Sequence, residues 1–267
     1  MWSFLGMTPR YGPLLALGAS LARRGILARI AIGIGIATVL FACAIAIGLA
    51  RRGGDAPVHT VPLLTSSALA WGAGFFLAFS SAAHALRRDR SEGVQHLFVA
   101  RTTSLRAYVI ARIFGLAAVL TVVVAGGTLF TGLVAIAAST QAGTVPKTLQ
   151  ATLAAFVFSI AFSAVVAPIA FAALGARSRV GGYLFLLFVV FLPETMTGLL
   201  SGLLPESLLE VLAIPSALAA LRSALAPGSF DAFRTMRALV AIAIWFLFAT
   251  MLVRRTVSTL DRGEADA

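Results

Sequence analysis

Few side chains in this chain could do chemistry, and they are scattered. Glu194, in FLPETMTG, is the sharpest, a carboxylate inside an apolar run directly after Pro193. A charged group at mid-membrane costs about 2.5–3.5 kcal/mol on insertion scales unless it faces protein or water. Glu194 lies eleven residues past Tyr183, roughly 17 Å along a helix and so beyond the centre of a run that starts there. Two roles stay open for it: a pathway or proton-carrying residue, or a carboxylate at the outer interface where the run ends. His59, His84 and His96 share no ligand spacing and read as interfacial or packing residues. Cys43 is the sole cysteine and sits in an apolar run, which leaves no disulfide and no thiol metal cluster. No GxxxxGK[ST] loop is present, and Lys147 is the sole lysine. The expectation is no catalytic residue, no metal and no cofactor on this chain.

The elements that hold these residues are written in the composition. Of 267 residues 60% are hydrophobic and only 12% charged, with a mean hydropathy of +0.97. A soluble domain carries roughly 25% charged residues, so half that charge points to a polytopic membrane protein. The N-terminus shows no secretory signal pattern. Apolar runs predict spans at about Ile30–Ala50, Leu63–Leu86, within Tyr108–Ala138, and at Leu149–Gly175, Tyr183–Leu203 and Ala238–Val253. The first, 21 residues long, makes about 31 Å of helix, enough for a hydrocarbon core of about 30 Å. Small residues (Ala31, Gly33, Gly35, Ala42, Ala46, Ala50) run along it and permit close helix contact. The expected fold is an all-α membrane protein with six transmembrane helices. Residues 1–29 form an N-terminal interfacial helix, 30–255 the permeation domain, and 256–267 a tail.

The net charge of +11 comes from 21 Lys plus Arg against 10 Asp plus Glu. The arginines border the apolar runs, so topology and anionic lipid headgroups account for them and nucleic acid is not an expected partner. With the N-terminus inside, 15 basic residues fall on the inner side and 6 on the outer. The positive-inside rule then places both termini in the cytoplasm of a cell (bacterial inner) membrane. Two segments break the pattern of run and short loop. After the fifth run, 204–236 is apolar but cut by Pro205, Pro215, Pro227 and Gly228 into pieces too short to cross, which predicts re-entrant or surface helices. After the second run, RRDRSEGVQHLFVARTTSLRAY forms a charged island on the cytoplasmic side. Within it Val94, Leu97, Phe98 and Arg101 fall at helical spacing, with Glu92 at the start, where the helix dipole favours a carboxylate. A short amphipathic helix over about 91–102 follows, resting on the leaflet or docking to a protein.

The island and the span after it resemble the corresponding stretch of ABC-2 type permeases, the membrane subunits of ATP-driven exporters. Glu92–Gly93 match the acidic residue and Gly that open that family's coupling helix. Leu97 and Phe98 match its apolar stretch, and Ala111–Arg112 stand near its usual Gly-Lys pair. The Pro usual after the coupling helix is replaced by Thr102–Thr103. Pro215 and Arg222 match the Pro and Arg of the family's outer segment after the fifth span. The run from Asp89 to Gly93 is also similar to the haem-exporter permease of cytochrome c maturation, although this chain is longer at its C-terminal end.

The resemblance implies a transport subunit that is not itself an enzyme. ATP and Mg would be bound by two copies of a cytoplasmic ABC ATPase. Glu92, Gly93, Val94, Leu97, Phe98 and Arg101 would receive its push, and a second permease copy, identical or paralogous, would complete the pathway. Phe185, Phe188 and Phe191, three residues apart along the fifth run, could line that pathway with Glu194. The alternative is a proton-coupled secondary transporter using Glu194. An intramembrane enzyme would need clustered His, Asp or Glu in the bilayer, and the histidines here are scattered. An assembly or anchoring protein is a further class.

Overall fold

The computed structural model describes residues 12–52, 57–83, 85–86, 89, 92–93, 105–139, 143–175, 179–228 and 230–261. These are helical almost throughout. Inside hydrocarbon every backbone N–H and C=O must be bonded within the protein, and a helix does this within one segment. Helix α1 is Gly12–Ala22, α2 Ile26–Arg52, α3 Thr60–Ala82, α4 Arg106–Ala138 and α5 Thr144–Leu174. Helix α6 covers 179–200, α7 is Glu206–Leu212, α8 Ile214–Leu225 and α9 Ala232–Asp261.

Five of these helices (α2, α3, α4, α5 and α9) are long and apolar enough to cross a membrane. Each overruns its apolar core by several residues. The run expected to form the fifth span is different. Helix α6 is continuous through Arg179–Leu186, a π segment Leu187–Phe191, and Leu192–Leu200. Pro193 supplies a reason for the π segment: it has no N–H to donate and its ring presses on the carbonyl one turn back, so the ladder ahead of it shifts register.

Side-chain ties define the two ends of the bundle. At the island end, Ser81 Oγ donates to Ala22 O at 2.7 Å, fastening α1 to α3. A side chain on Gly175 would meet Leu86. At the far end, Arg222 Nη1 donates to Leu63 O at 2.8 Å, and Gln150 Nε2 to Leu225 O and Ala226 O at 3.3 and 3.4 Å. Helix α9 starts at this far end under an N-cap: Asp231 Oδ1 accepts from the N–H groups of Phe233 and Arg234 at 2.9 and 3.1 Å.

Helix α5 is the axis of the bundle, buried without a break from Val165 to Leu174. Helices α2 and α9 lie outside, with Ile34, Leu40 and Phe41 on one and Leu239, Ile244 and Leu247 on the other exposed. Along α2, Ala31, Gly35, Ala42 and Ala46 are buried as the small-residue spacing suggests, whereas Gly33 faces open space. Buried hydroxyls on α4 and α5 turn back onto their own helices. Thr128, Thr152, Ser159 and Ser163 donate to carbonyls four residues earlier at 2.6–2.9 Å, so they cost little to bury.

The segment expected to lie in the interface, 1–29, is a helix packed on the bundle over its described part. The backbones of α1 and α4 meet at Gly18 and Gly115. A Cβ on Gly18 would fall 2.6 Å from Ala111 O, and one on Gly115 would run into the backbone of Gly18 and Ala19. Two glycines are what allow this approach.

Candidate functional site

The root of the island is the most polar buried spot among the described residues. Asp89, Tyr108 and Arg112 are 5%, 2% and 5% exposed. Tyr108 donates its hydroxyl hydrogen to Asp89 Oδ2 at 2.6 Å, and Arg112 Nε stands 3.0 Å from the same oxygen. The guanidinium carbon also lies 5.9 Å from the Phe171 ring centre on α5. Tyr108 and Arg112 are one turn apart on α4, so both face one direction. Asp89 precedes the Glu92–Gly93 turn, where Gly93 has φ +71°, a left-handed geometry that glycine adopts without strain. The first residues of the island are thus fixed to α4 by a desolvated charge pair. Glu92 itself is exposed. Val94, Leu97, Phe98 and Arg101 lie outside the described residues, as does most of the expected coupling helix.

A second feature lies in the body of the bundle. Three helices carry π segments: Ala68–Gly74 in α3, Val122–Gly126 in α4 and Leu187–Phe191 in α6. Counted from the far-end termini of those helices, each sits roughly 12–24 Å in at 1.5 Å per residue. They therefore occupy one layer. A Cβ on Gly74 would fall 2.8 Å from Val124 Cγ2, which places the first two segments against each other. Aromatic rings fill the layer: Trp71 meets Phe162 edge-on at 5.3 Å, and Phe75 meets Phe191 edge-on at 5.7 Å. An apolar cleft opens beside them, walled by Trp71, Phe75, Phe79, Ile169, Val190 and Ile214. π Segments recur at functional sites because the extra residue re-aims side chains and leaves the ladder easier to rearrange.

The phenylalanines of the fifth run differ in burial. Phe185 is half-buried against the core, whereas Phe188 and Phe191 are exposed, in line with Leu184 and Leu192.

The broken segment after α6 forms a cap whose middle dips into the bundle. Helix α7 ends at Leu212, Ala213 is extended, and α8 begins at Ile214 with Pro215 in its first turn. The break exposes carbonyls, and Trp245 Nε1 donates to one of them, Val211 O, at 3.2 Å. Trp245 is thirteen residues into α9, roughly 20 Å from its start, and Ile214 reaches the apolar cleft. The α7–α8 break is thus packed against the middle of α9 and the cleft. Glu210 is gripped by Arg234 Nε at 2.8 Å and by Arg237.

Glu194 meets α8 beside Pro215, whereas Arg222 lies two turns further along that helix and contacts Leu63 O and Phe158 instead. Glu194 Oε2 accepts from Ser216 Oγ at 2.8 Å, while Glu194 stays exposed in the first turn of Leu192–Leu200, where a carboxylate is favoured. Arg222 is half-buried, its guanidinium carbon 5.4 Å from the Phe158 ring centre, and burial pushes its pKa below the ordinary arginine value. Asp89, Arg112 and Tyr108 are the functional candidates that residue types alone did not single out. Comparison of the chain with family models, with characterised proteins and with solved structures finds no match. Among the described residues no group of three or more His, Cys, Asp or Glu could hold a metal ion.

Proposed function

We propose that this chain is the transmembrane subunit of an exporter of the ABC-2 type, driven by ATP hydrolysis on a separate cytoplasmic ATPase. In this reading α6 is the sixth crossing: it leaves the island end beside Leu174 and reaches Ser216 at the cap, so both termini share one side. The observation that carries the reading is the buried Asp89–Arg112–Tyr108 tie. An island that only rests on lipid headgroups has no need of a desolvated ion pair at its root. One that must pass a push to the spans does. A charge pair out of water is costly unless its geometry is held, and breaking it is costlier still. Force applied at Glu92, Gly93 and the residues beyond them would reach α4 through Arg112. The π layer would let α3, α4 and α6 shift against one another, and the re-entrant cap would close the far side. Two permeases and two ATPase copies, with ATP and Mg on the ATPase, would complete the machine.

The test is purification of the tagged chain from its native membranes in mild detergent. The expected result is an equimolar subunit that hydrolyses Mg-ATP and is lost in the Glu92→Arg, Phe98→Asp double variant while the permease keeps its elution profile. A wild-type chain that carries no nucleotide-hydrolysing subunit, even after crosslinking in the membrane, would sink the proposal and bring forward the proton-linked alternative through Glu194.

A further inference from the structure

The turn between α1 and α2 carries a surface whose chemistry points to a ligand outside the transport reaction. No acidic residue precedes Asp55, so the arginines of this end have no local counter-charge in the chain. Arg23, Arg24 and Arg29 are all exposed within seven residues. Among the described residues none of the three makes an ion pair. Arg23 spends only its Nε, on Ala19 O at 3.3 Å. Directly beside them an apolar column starts: Ile26 is 76% exposed, Leu27 54%, Ile30 48% and Ile34 47%. The opposite face of the same helix, Ala28, Ala31 and Gly35, is buried in the bundle. The turn is also held in place. Gly18 lies backbone to backbone on Gly115, and Ser81 Oγ bonds Ala22 O, so the arginines are presented by a fixed element.

From this juxtaposition we infer that the α1–α2 turn is a binding site for an anionic phospholipid. The headgroup phosphate lies among Arg23, Arg24 and Arg29, and one acyl chain runs along Ile26, Leu27, Ile30 and Ile34. A free phosphate would satisfy the arginines but leave the column unused. The column descends about 12 Å over eight residues, the length of a good part of an acyl chain. A lipid with both parts fits the surface as a whole. The site is independent of whether an ATPase binds the island.

The test uses the full chain purified in detergent and reconstituted with defined mixtures of phosphatidylglycerol and phosphatidylcholine. Lipids retained after delipidation are then counted by native mass spectrometry. Wild type should retain phosphatidylglycerol in preference to phosphatidylcholine. The triple variant Arg23→Gln, Arg24→Gln, Arg29→Gln should lose at least about tenfold of that preference, given roughly 1 kcal/mol for each basic residue near an anionic surface. Arg254→Gln with Arg255→Gln, at the other basic helix end, should keep it. Should the triple variant fail to insert, the single variants Arg24→Gln and Arg29→Gln should each give a partial loss. Ile30→Asp should weaken retention with every arginine in place. Equal retention of the two lipids by wild type, or unchanged retention in the arginine variants, overturns the assignment. So does a turn that crosslinks efficiently to the same turn of a second copy, since the column would then be a protein interface.

Discussion

Arg112→Met removes the cation from the root of the island and leaves the Asp89 carboxylate, 5% exposed, with Tyr108 as its partner among the described residues. Breaking a buried pair on one side costs about 3–5 kcal/mol, because the surviving charge has lost its compensation in a place water does not reach. Replacing the whole set with apolar groups of similar size is a different perturbation, and buried ion pairs treated this way are often neutral. The hydroxyl of Tyr108 must go as well, since a buried O–H without an acceptor costs about 1–3 kcal/mol. The triple variant Asp89→Leu, Tyr108→Phe, Arg112→Met is therefore expected within about 2 kcal/mol of wild type, while the single change is worse than the triple. The assay is equilibrium unfolding in mixed micelles with rising dodecyl sulfate, followed by tryptophan fluorescence. The same three proteins, assembled with the ATPase proposed above, separate stability from coupling. The triple variant should fold normally yet lose stimulation of hydrolysis by the permease. A single variant within about 1 kcal/mol of wild type would refute the claim that the pair is desolvated. A stable triple variant with full coupling would refute its role as the transmitting contact.

Gly115→Ala places a methyl against the backbone of Gly18 and Ala19, which cannot rotate away. Overpacking of this kind costs about 1–3 kcal/mol, and the same titration should show it. Gly33→Ala, where nothing lies within 4 Å of the added carbon, should be neutral or gain up to about 1 kcal/mol from helix propensity. Trp245→Phe keeps the ring but frees the Val211 carbonyl at the α7–α8 break. A loss of about 0.6–1.7 kcal/mol, the range of side-chain hydrogen bonds in membrane proteins, should appear with faster amide exchange in α7 than in α5.

The five helices long and apolar enough to cross a membrane were the most legible part of the molecule. An uninterrupted apolar run has one good solution in hydrocarbon, and the helices fall where such runs lie. Pro193 announced a disturbance in the fifth run, but not its form. Whether a ladder kinks or shifts to i→i+5 depends on what packs beside it, here Phe75 and Ile214 on other elements. The segment after the fifth run was read as re-entrant or surface-lying because its pieces were too short. Its packing onto α9 rests on a contact between Val211 and Trp245, 34 residues away, which no local pattern encodes. The same holds for Gly18 and Gly115, since a glycine that admits a backbone looks in sequence like one that faces lipid, as Gly33 does. Arg112 was legible as one of several arginines bordering an apolar run. Its burial was not, because that depends on Asp89 being turned back onto α4. The pair at Glu194 and Ser216 was half legible: the carboxylate stood out, its partner did not.

The distribution of polar contacts bears on how such a bundle could move. Among the described residues the charged ties between elements lie at its two ends, with Trp245 to Val211 O and Thr128 to Ser159 the neutral ones deeper in. Asp89, Tyr108 and Arg112 hold the island end, while Glu210 with Arg234 and Arg237, Glu194 with Ser216, and Arg222 with Leu63 O hold the far end. Between them the π segments of α3 and α4 meet through Gly74 and Val124, and that of α6 faces α3 through Phe191 on Phe75, apolar contacts with no preferred hydrogen-bond geometry. A charge pair in a dry setting has one good distance and resists sliding. Apolar packing tolerates a small shift between alternative fits, and a π turn can relax toward α at the cost of one register change. Such a bundle does not bend uniformly when pushed at one end. Its tied ends move as bodies and the strain collects in the layer of Trp71, Phe75 and Phe191. If the island is where the force enters, that layer is where α3 and α6 must part. Substitutions that relax the π segments should then alter coupling more than substitutions of equal stability cost at either tied end.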